Sequence, residues 1–324
     1  MKFLVYGAGT IGITYAWLLS AKHDAAVFVR PEKIPSVQDG YSLTVHDLRK
    51  RPNRRLQIDF RPALVTDISG DYDAILVTVN RCQLKSVLPA LRDSKADILF
   101  MQNNWDIQKD VSPYLNAGRY ILGFPAQVGG GREGNAVEVN LYRQGTVLGE
   151  ADGRKSERLA KYKQAFEQAG LAVEIKKNVP DWLKVHYLQQ SVSAGAILKA
   201  GGYEAFASSY TAVKEMARAF REGIAVCAAC GVNTKAVFPA NMFRMPVPIV
   251  SLAMKGMLNK PDVVFMVTGH MKQGLKEWVA GYYEVLESGL GKGVPMPVWQ
   301  SYKPYVDACV CGAGKDAPLF PLGR

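Results

Sequence analysis

Cysteine is scarce in this chain: five residues among 324, an odd number that no set of internal disulfides can use up. Cys227 and Cys230 stand inside a helical pattern with no second ligand pair at zinc spacing, and Cys309 and Cys311 have no histidine nearby. Buried free thiols in a reducing cytoplasm are therefore expected, with no metal site. Long apolar runs are also missing. None reaches the roughly 18 residues needed to cross a bilayer, and the N-terminal stretch Lys2–Tyr6 is too short for a secretory signal. There is no internal repeat and no low-complexity tract. Nucleic-acid-binding motifs are absent too, so the net charge of +11 is not read as a nucleic-acid signature. Lys and Arg are scattered, and the one dense run, Arg49-Lys50-Arg51 continuing to Arg54-Arg55, lies between two strand-like segments and reads as a solvated loop.

What is present is enough for a real core: 48% hydrophobic and 21% charged residues over a length that suits two domains. Up to residue 178, short apolar runs alternate with amphipathic stretches. Strands are expected at 2–6, 25–29, 74–79, 97–102, 120–124, 136–140, 146–149 and 172–176, with helices at 10–21, 82–91, 106–116 and 154–169. This alternation predicts an α/β, doubly wound parallel sheet of the Rossmann type. Tyr41–His46 and Leu56–Phe60 alternate polar and apolar residues and are expected to form a small hairpin inserted in the sheet region. From residue 179 to 324 the texture becomes all-helical, with helices at 181–199, 211–230, 262–288 and 298–308. Gly201-Gly202 and Pro246-Val247-Pro248 mark breaks.

Gly7-Ala8-Gly9-Thr10-Ile11-Gly12 is a G-x-G-x-x-G placed between a buried strand and a helix. The first glycine permits a tight turn, the second lets a pyrophosphate approach the backbone, and the third lets helix and strand pack closely. The helix N-terminus then presents unpaired N–H groups to the phosphates. An acidic residue after the second strand would bind a ribose 2′-hydroxyl; this chain has Arg30 there, with Lys33 close behind. A guanidinium suits a 2′-phosphate, which favours NADP(H) over NAD(H), with Glu32 as the dissenting neighbour.

The glycine loop, Arg30, the segment Phe100-Met101-Gln102-Asn103-Asn104, Trp182-Leu183-Lys184 and Glu277 before Gly293-Val294-Pro295 together resemble the ketopantoate reductase (2-dehydropantoate 2-reductase) family over nearly the whole chain. The resemblance implies a Rossmann domain followed by a helical domain, which also leaves room for a homodimer. It implies an active site in the cleft between the domains, and hydride transfer from NADPH to a small-molecule 2-keto acid, as in pantothenate biosynthesis. By matching motifs, Lys184 would donate the proton, Asn103 would contact nicotinamide and substrate, and Glu277 would order the lysine. Asn80 and Arg81 stand where the family carries a cofactor-side lysine. Read without the family, Lys184 is an ordinary surface cation, Asn103 a helix cap, and Glu277 part of a solvated charge pattern with Lys272 and Lys276. The chain departs from the family where asparagines are expected four and eight positions after the lysine: these are Leu188 and Val192, with Gln189 and Ser193 one residue out of phase. Phe265 replaces an expected serine. These departures point to a bulkier, more apolar 2-keto acid as the alternative substrate, or to a non-catalytic NADP(H) sensor.

Overall fold

The computed structural model describes residues 1–312, excepting the side chains of His270, Lys272, Gln273 and Cys311. The expectations placed on Cys311 and on the Lys272 side chain lie outside the described residues. The chain divides into two compact units, Met1–Pro180 and Asp181–Arg324. Helix formation, in contrast, begins at Val179, so the expected boundary at 178/179 marks the change of texture.

The first unit is built from β1 (Lys2–Tyr6), α1 (Thr10–Ser20), β2 (Asp24–Phe28), α2 (Ile34–Val37), β3 (Tyr41–Asp47), β4 (Arg54–Phe60), β5 (Ala63–Val65), β6 (Ala74–Val77), α3 (Arg81–Arg92), β7 (Asp97–Met101), α4 (Ile107–Val111), β8 (Tyr120–Phe124), β9 (Val128–Glu133), β10 (Ala136–Leu141), β11 (Thr146–Glu150), α5 (Glu157–Gln168) and β12 (Val173–Ile175). Eight strands form one sheet in the order β12-β11-β8-β7-β6-β1-β2-β5. Its pairings are parallel except where β11 meets β8. Ala74-Ile75-Leu76-Val77 of β6 are all buried, as a central parallel strand covered on both faces requires. Strand order reverses at β1: β2 and β5 lie on one side, β6 and the later strands on the other. The carboxyl ends of β1 and β6 therefore frame the crevice where open α/β sheets bind ligands.

The hairpin β3–β4 is not inserted in this sheet. It pairs in parallel with β10, which in turn pairs with β9, to make a separate four-stranded sheet in the order β4-β3-β10-β9. Helix α1 packs against β1 and β2 and also against β9 and β10. Cover from both sides explains why its sequence is apolar around most of its circumference. The basic turn after β3 is only partly solvated: Arg49 donates to Asp47 at 2.8 Å and to the carbonyl of Gly170 at 2.9 Å. A second polar cluster ties α5 to the sheet. The carboxylate of Glu150 is fully buried and accepts from Arg158 Nε at 2.8 Å, while Arg158 also donates to Asp97 at 3.0 Å and Tyr162 donates to Asp97 at 2.7 Å. Burial alone would raise the Glu150 carboxyl, but the hydrogen bonds from Arg158 and Ser156 outweigh it and hold it below the usual range.

The second unit continues α6 (Val179–Ala200) and adds α7 (Tyr203–Ser208), α8 (Tyr210–Ala229), α9 (Val247–Leu258), α10 (Pro261–Gly291), α11 (Pro297–Ser301) and α12 (Lys303–Gly312). Gly201 and Gly202 have positive φ and end α6, and Pro246 precedes α9. The single helix expected at 298–308 is two, because Pro304 in the first turn of α12 lacks the N–H that would continue α11. At the core, the Tyr282 and Trp299 rings stack 5.7 Å apart, and Glu222 accepts the backbone N–H groups of Val298 and Trp299. Among the described cysteines, Cys82, Cys227, Cys230 and Cys309 are free thiols; only Cys227 is buried, and Cys82 is exposed, contrary to expectation. No described helix is long and apolar enough to cross a membrane.

Candidate active site

Four chain segments converge at the carboxyl ends of β1, β2, β6 and β7. Gly7 has φ +129, and its carbonyl oxygen accepts from the Thr78 hydroxyl at 3.0 Å. Gly12 packs so tightly beneath this turn that a Cβ would sit 1.8 Å from the Gly7 carbonyl oxygen. Gly9 is the opposite case: a Cβ there would meet nothing within 4 Å. The third glycine thus serves packing inside the chain, and the second leaves open space above the N-terminus of α1, where Thr10 and Ile11 begin the helix. That is the cradle a pyrophosphate fits.

Arg30 follows β2 with its side chain 66% exposed, and its guanidinium lies 3.3 Å from Glu32. The Tyr6 and Phe28 rings stack beside it at 4.4 Å. Burial pushes the Tyr6 phenol up, and the Arg30 charge opposes that rise. Asn80 is occupied by local structure: it caps α3 in a reciprocal box with Gln83, whose Oε1 accepts the Asn80 N–H at 3.3 Å. Arg81 is the first residue of α3 and half-buried.

The segment after β7 separates three neighbouring amides by role. Gln102 donates to the Val79 carbonyl at 2.6 Å, and Asn104 accepts the Asp106 N–H at 3.0 Å in the turn before α4. The turn thus relies on Asn104 and leaves Asn103 free of helix-capping duty. Gln102 Oε1 and Asn103 Oδ1 are buried acceptors without a hydrogen-bond partner in the chain. Buried acceptors of this kind are ordinarily paired with water or with a bound group. Arg132 on β9, a residue carrying no sequence signal, reaches the glycine loop: its guanidinium donates to the Ala8 carbonyl and lies 5.0 Å from the Tyr41 ring centre. Only the pairing of β9 into the second sheet brings it there, and no local pattern announces that.

Within the second unit, Lys184 lies half-buried on α6. It sits near Cys227 of α8, where its positive charge opposes the upward push that burial gives the Cys227 thiol. Leu188 packs against Gly223 of α8. Leu188 and Val192 are 0% and 1% exposed, so they belong to the helical core. Gln189 is exposed and Ser193 donates to the Gln189 carbonyl. Phe265 is 46% exposed on α10.

Helices α6 and α10 run antiparallel. Tyr187 donates to Glu284 at 2.6 Å, and a Cβ on Gly281 would lie 2.6 Å from Ser191 Oγ. The contact of Cys230 with Ser288 at 3.6 Å fixes the same register through α8. Along this register Glu277 falls level with Gly195, while Lys184 falls level with Ser288. At 1.5 Å per residue the two are roughly 16 Å apart along the helix pair. The structure therefore does not bring Glu277, which is exposed, together with Lys184. Counting back from Gly293 gives a residue's sequence position, but its height in the bundle is set by how the continuous α10 packs.

The sheet order and the glycine turn define a first unit of the Rossmann class, and the second unit is helical. Residues 3–153 match the family model described as ketopantoate reductase PanE/ApbA. A 2-dehydropantoate 2-reductase from Bacillus subtilis (strain 168) is 31% identical over 104 residues, which cover 32% of this chain and 33% of that protein, so the match spans about a third of the curated relative's length. Among solved structures, a probable 2-dehydropantoate 2-reductase from Bacillus subtilis superposes with a TM-score of 0.71 at 19% identity, covering 95% of this chain and 99% of that one. A D-mandelate dehydrogenase in ternary complex with NADH and anilino(oxo)acetate gives 0.70 at 15% identity, covering 95% and 97%. A dimeric ketopantoate reductase from Staphylococcus aureus gives 0.60 at 13% identity, covering 95% and 99%. The likeness to the ketopantoate reductase family model thus covers residues 3–153, and the solved structures show the fold of the whole.

Proposed function

We propose that this chain is an NADPH-dependent reductase that converts a 2-keto acid, ketopantoate by family, to the 2-hydroxy acid. The observation that carries the reading is the cradle at the end of β1, open above Gly9 and closed beneath Gly12, with exposed Arg30 at the end of the neighbouring β2. The backbone of Gly9, Thr10 and Ile11 would hold the pyrophosphate, and Arg30 would grip a 2′-phosphate in exchange for its contact with Glu32. The unpartnered acceptors of Gln102 and Asn103 suit the carboxamide N–H groups of a nicotinamide. When bound, the reduced nicotinamide supplies a hydride. Lys184 carries the proton: its ammonium stabilises the keto oxygen as charge develops there and then gives up one proton to it, so that one hydride and one proton are added across the carbonyl.

The substrate's carbon skeleton is a separate matter. Leu188 and Val192 face the helical core and say nothing about it. The exposed Phe265, and the likeness in fold to a D-mandelate dehydrogenase, favour an acid with a larger apolar group as the second reading. NADPH consumption with a panel of 2-keto acids that includes ketopantoate and phenylglyoxylate tests both. Lys184→Ala is expected to keep NADPH affinity and lose turnover. Wild type with no turnover on any keto acid would sink the reductase reading and leave a binding protein for NADP(H).

A further inference from the structure

The helical unit carries a cleft of about 500 Å³ where the last turn of α6, the first turns of α8 and the short α11 meet. Lys199, on its α6 side, follows Lys184 by fifteen residues, roughly 22 Å of helix, so the cleft lies at the other end of α6. Thr211, Val298 and Ser301 are short side chains, and their size leaves the space open. Long cations stand around it. Lys214 and Arg218 lie one helical turn apart on α8, on the face that Thr211 begins.

The one carboxylate of the cleft is already committed. Glu215 pairs with Lys199 and accepts from the Ser301 hydroxyl at 3.3 Å. Lys199 is held in addition over the Tyr302 ring, 5.5 Å from its centre. Lys214 and Arg218 have no such counterion: among the described residues neither forms an ion pair, and Lys214 only faces the Tyr210 ring at 6.0 Å. Like charges at this spacing on a helix repel, and an anion set between them removes the repulsion. The N-terminus of α8, where Tyr210 and Thr211 line the cleft, adds its partial positive charge.

We propose that this cleft binds a small phosphate ester, with the phosphate between Lys214, Arg218 and the Thr211 hydroxyl and the organic part against Tyr210, Pro297 and Val298. Two uncompensated cations match a phosphate dianion in charge, and the guanidinium fork matches it in shape. The volume is that of a small-molecule site and exceeds what a bare phosphate fills, which leaves room for the body of the ester. Such a site works independently of the dinucleotide cradle and of turnover.

Isothermal titration calorimetry of the full chain with phenyl phosphate, at constant ionic strength, tests this. Wild type should bind phenyl phosphate more tightly than inorganic phosphate, because only the ester reaches the apolar wall. The double variant Lys214→Gln/Arg218→Gln should weaken binding about tenfold or more, as expected on losing charge-assisted hydrogen bonds. Lys235→Gln/Lys292→Gln removes the same charge from exposed positions outside the cleft and should leave affinity within about twofold, since distant exposed charges are screened. Thr211→Trp keeps every cation but fills the cleft, so it too should abolish binding. Equal losses in the two double variants would reveal attraction by net charge alone. Binding that survives Lys214→Gln/Arg218→Gln and disappears in Gly9→Ala would put the phosphate in the glycine turn. Either result, or no saturable binding by wild type, overturns the proposal. Inorganic phosphate binding as tightly as phenyl phosphate would overturn the ester as the ligand.

Discussion

The guanidinium of Arg132, at the end of β9, donates to the carbonyl of Ala8 inside the glycine loop. The second sheet thereby holds the loop from outside the β-α-β unit. Arg132→Ala should leave the fold intact and weaken dinucleotide binding several-fold, about 1 kcal/mol for a solvent-facing charged hydrogen bond. Fluorescence titration with NADPH, alongside thermal melting, checks this. A melting loss with unchanged affinity would count against it.

Two glycines of one motif should fail in different ways. Gly12→Ala forces a methyl group to 1.8 Å from a backbone oxygen and should cost about 3 kcal/mol of stability. Gly9→Ala meets no protein atom, so its melting temperature should match wild type while NADPH affinity falls at least about tenfold, since the methyl fills the space a pyrophosphate needs. Melting curves and titrations on the two variants separate the cases.

Replacement of Arg30 by Ala should reduce the preference for NADP(H) over NAD(H) by about tenfold or more, the worth of a charged hydrogen-bond pair. Affinity for NAD(H) should barely change. Equal losses for both dinucleotides would show that Arg30 does not read the 2′-phosphate. Glu32→Gln should shift the ratio the other way by freeing the guanidinium.

Arg158→Ala leaves Glu150 buried and without its cation, so chemical denaturation at neutral pH should show a loss of about 3–5 kcal/mol. The pH dependence has a definite sign. The Glu150 carboxyl is held below its unfolded value, so its contribution is present above about pH 4.3 and is lost as the pH falls through the lowered value. Asp73, held down by the Lys2 N–H and by Lys161, behaves the same way. The gap between wild type and Arg158→Ala should therefore shrink in acid below about pH 4.

What the sequence discloses follows from the range of each interaction. The buried strands β1, β6, β7 and β8 and the loop Gly7–Gly12 are legible because local pattern decides them. The destination of the hairpin β3–β4 is not, since its partner β10 lies some ninety residues later. Helix α9 escapes because Ile249, Leu252 and Met257 are exposed apolar residues that blur the helical period. Asn80 has the residue type of a cofactor contact and is spent on a helix cap. Leu188 and Val192 occupy family substrate positions by count, yet packing turns them into the core. For the hairpin and for Leu188 and Val192 the missing information is a long-range contact, to which spacing along the chain is blind.

The edge strand β12, residues 173–175, adds a consequence for synthesis on the ribosome. The Rossmann unit is one unbroken stretch of chain, and its last sheet strand is also nearly its last segment to be made. Its second sheet joins β3 to β10 across a long loop, a non-local pairing that forms slowly. The nascent unit must keep its half-built sheet from sticking to other chains until β11 and β12 emerge. Once they do, it can complete itself before most of the helical unit has been translated.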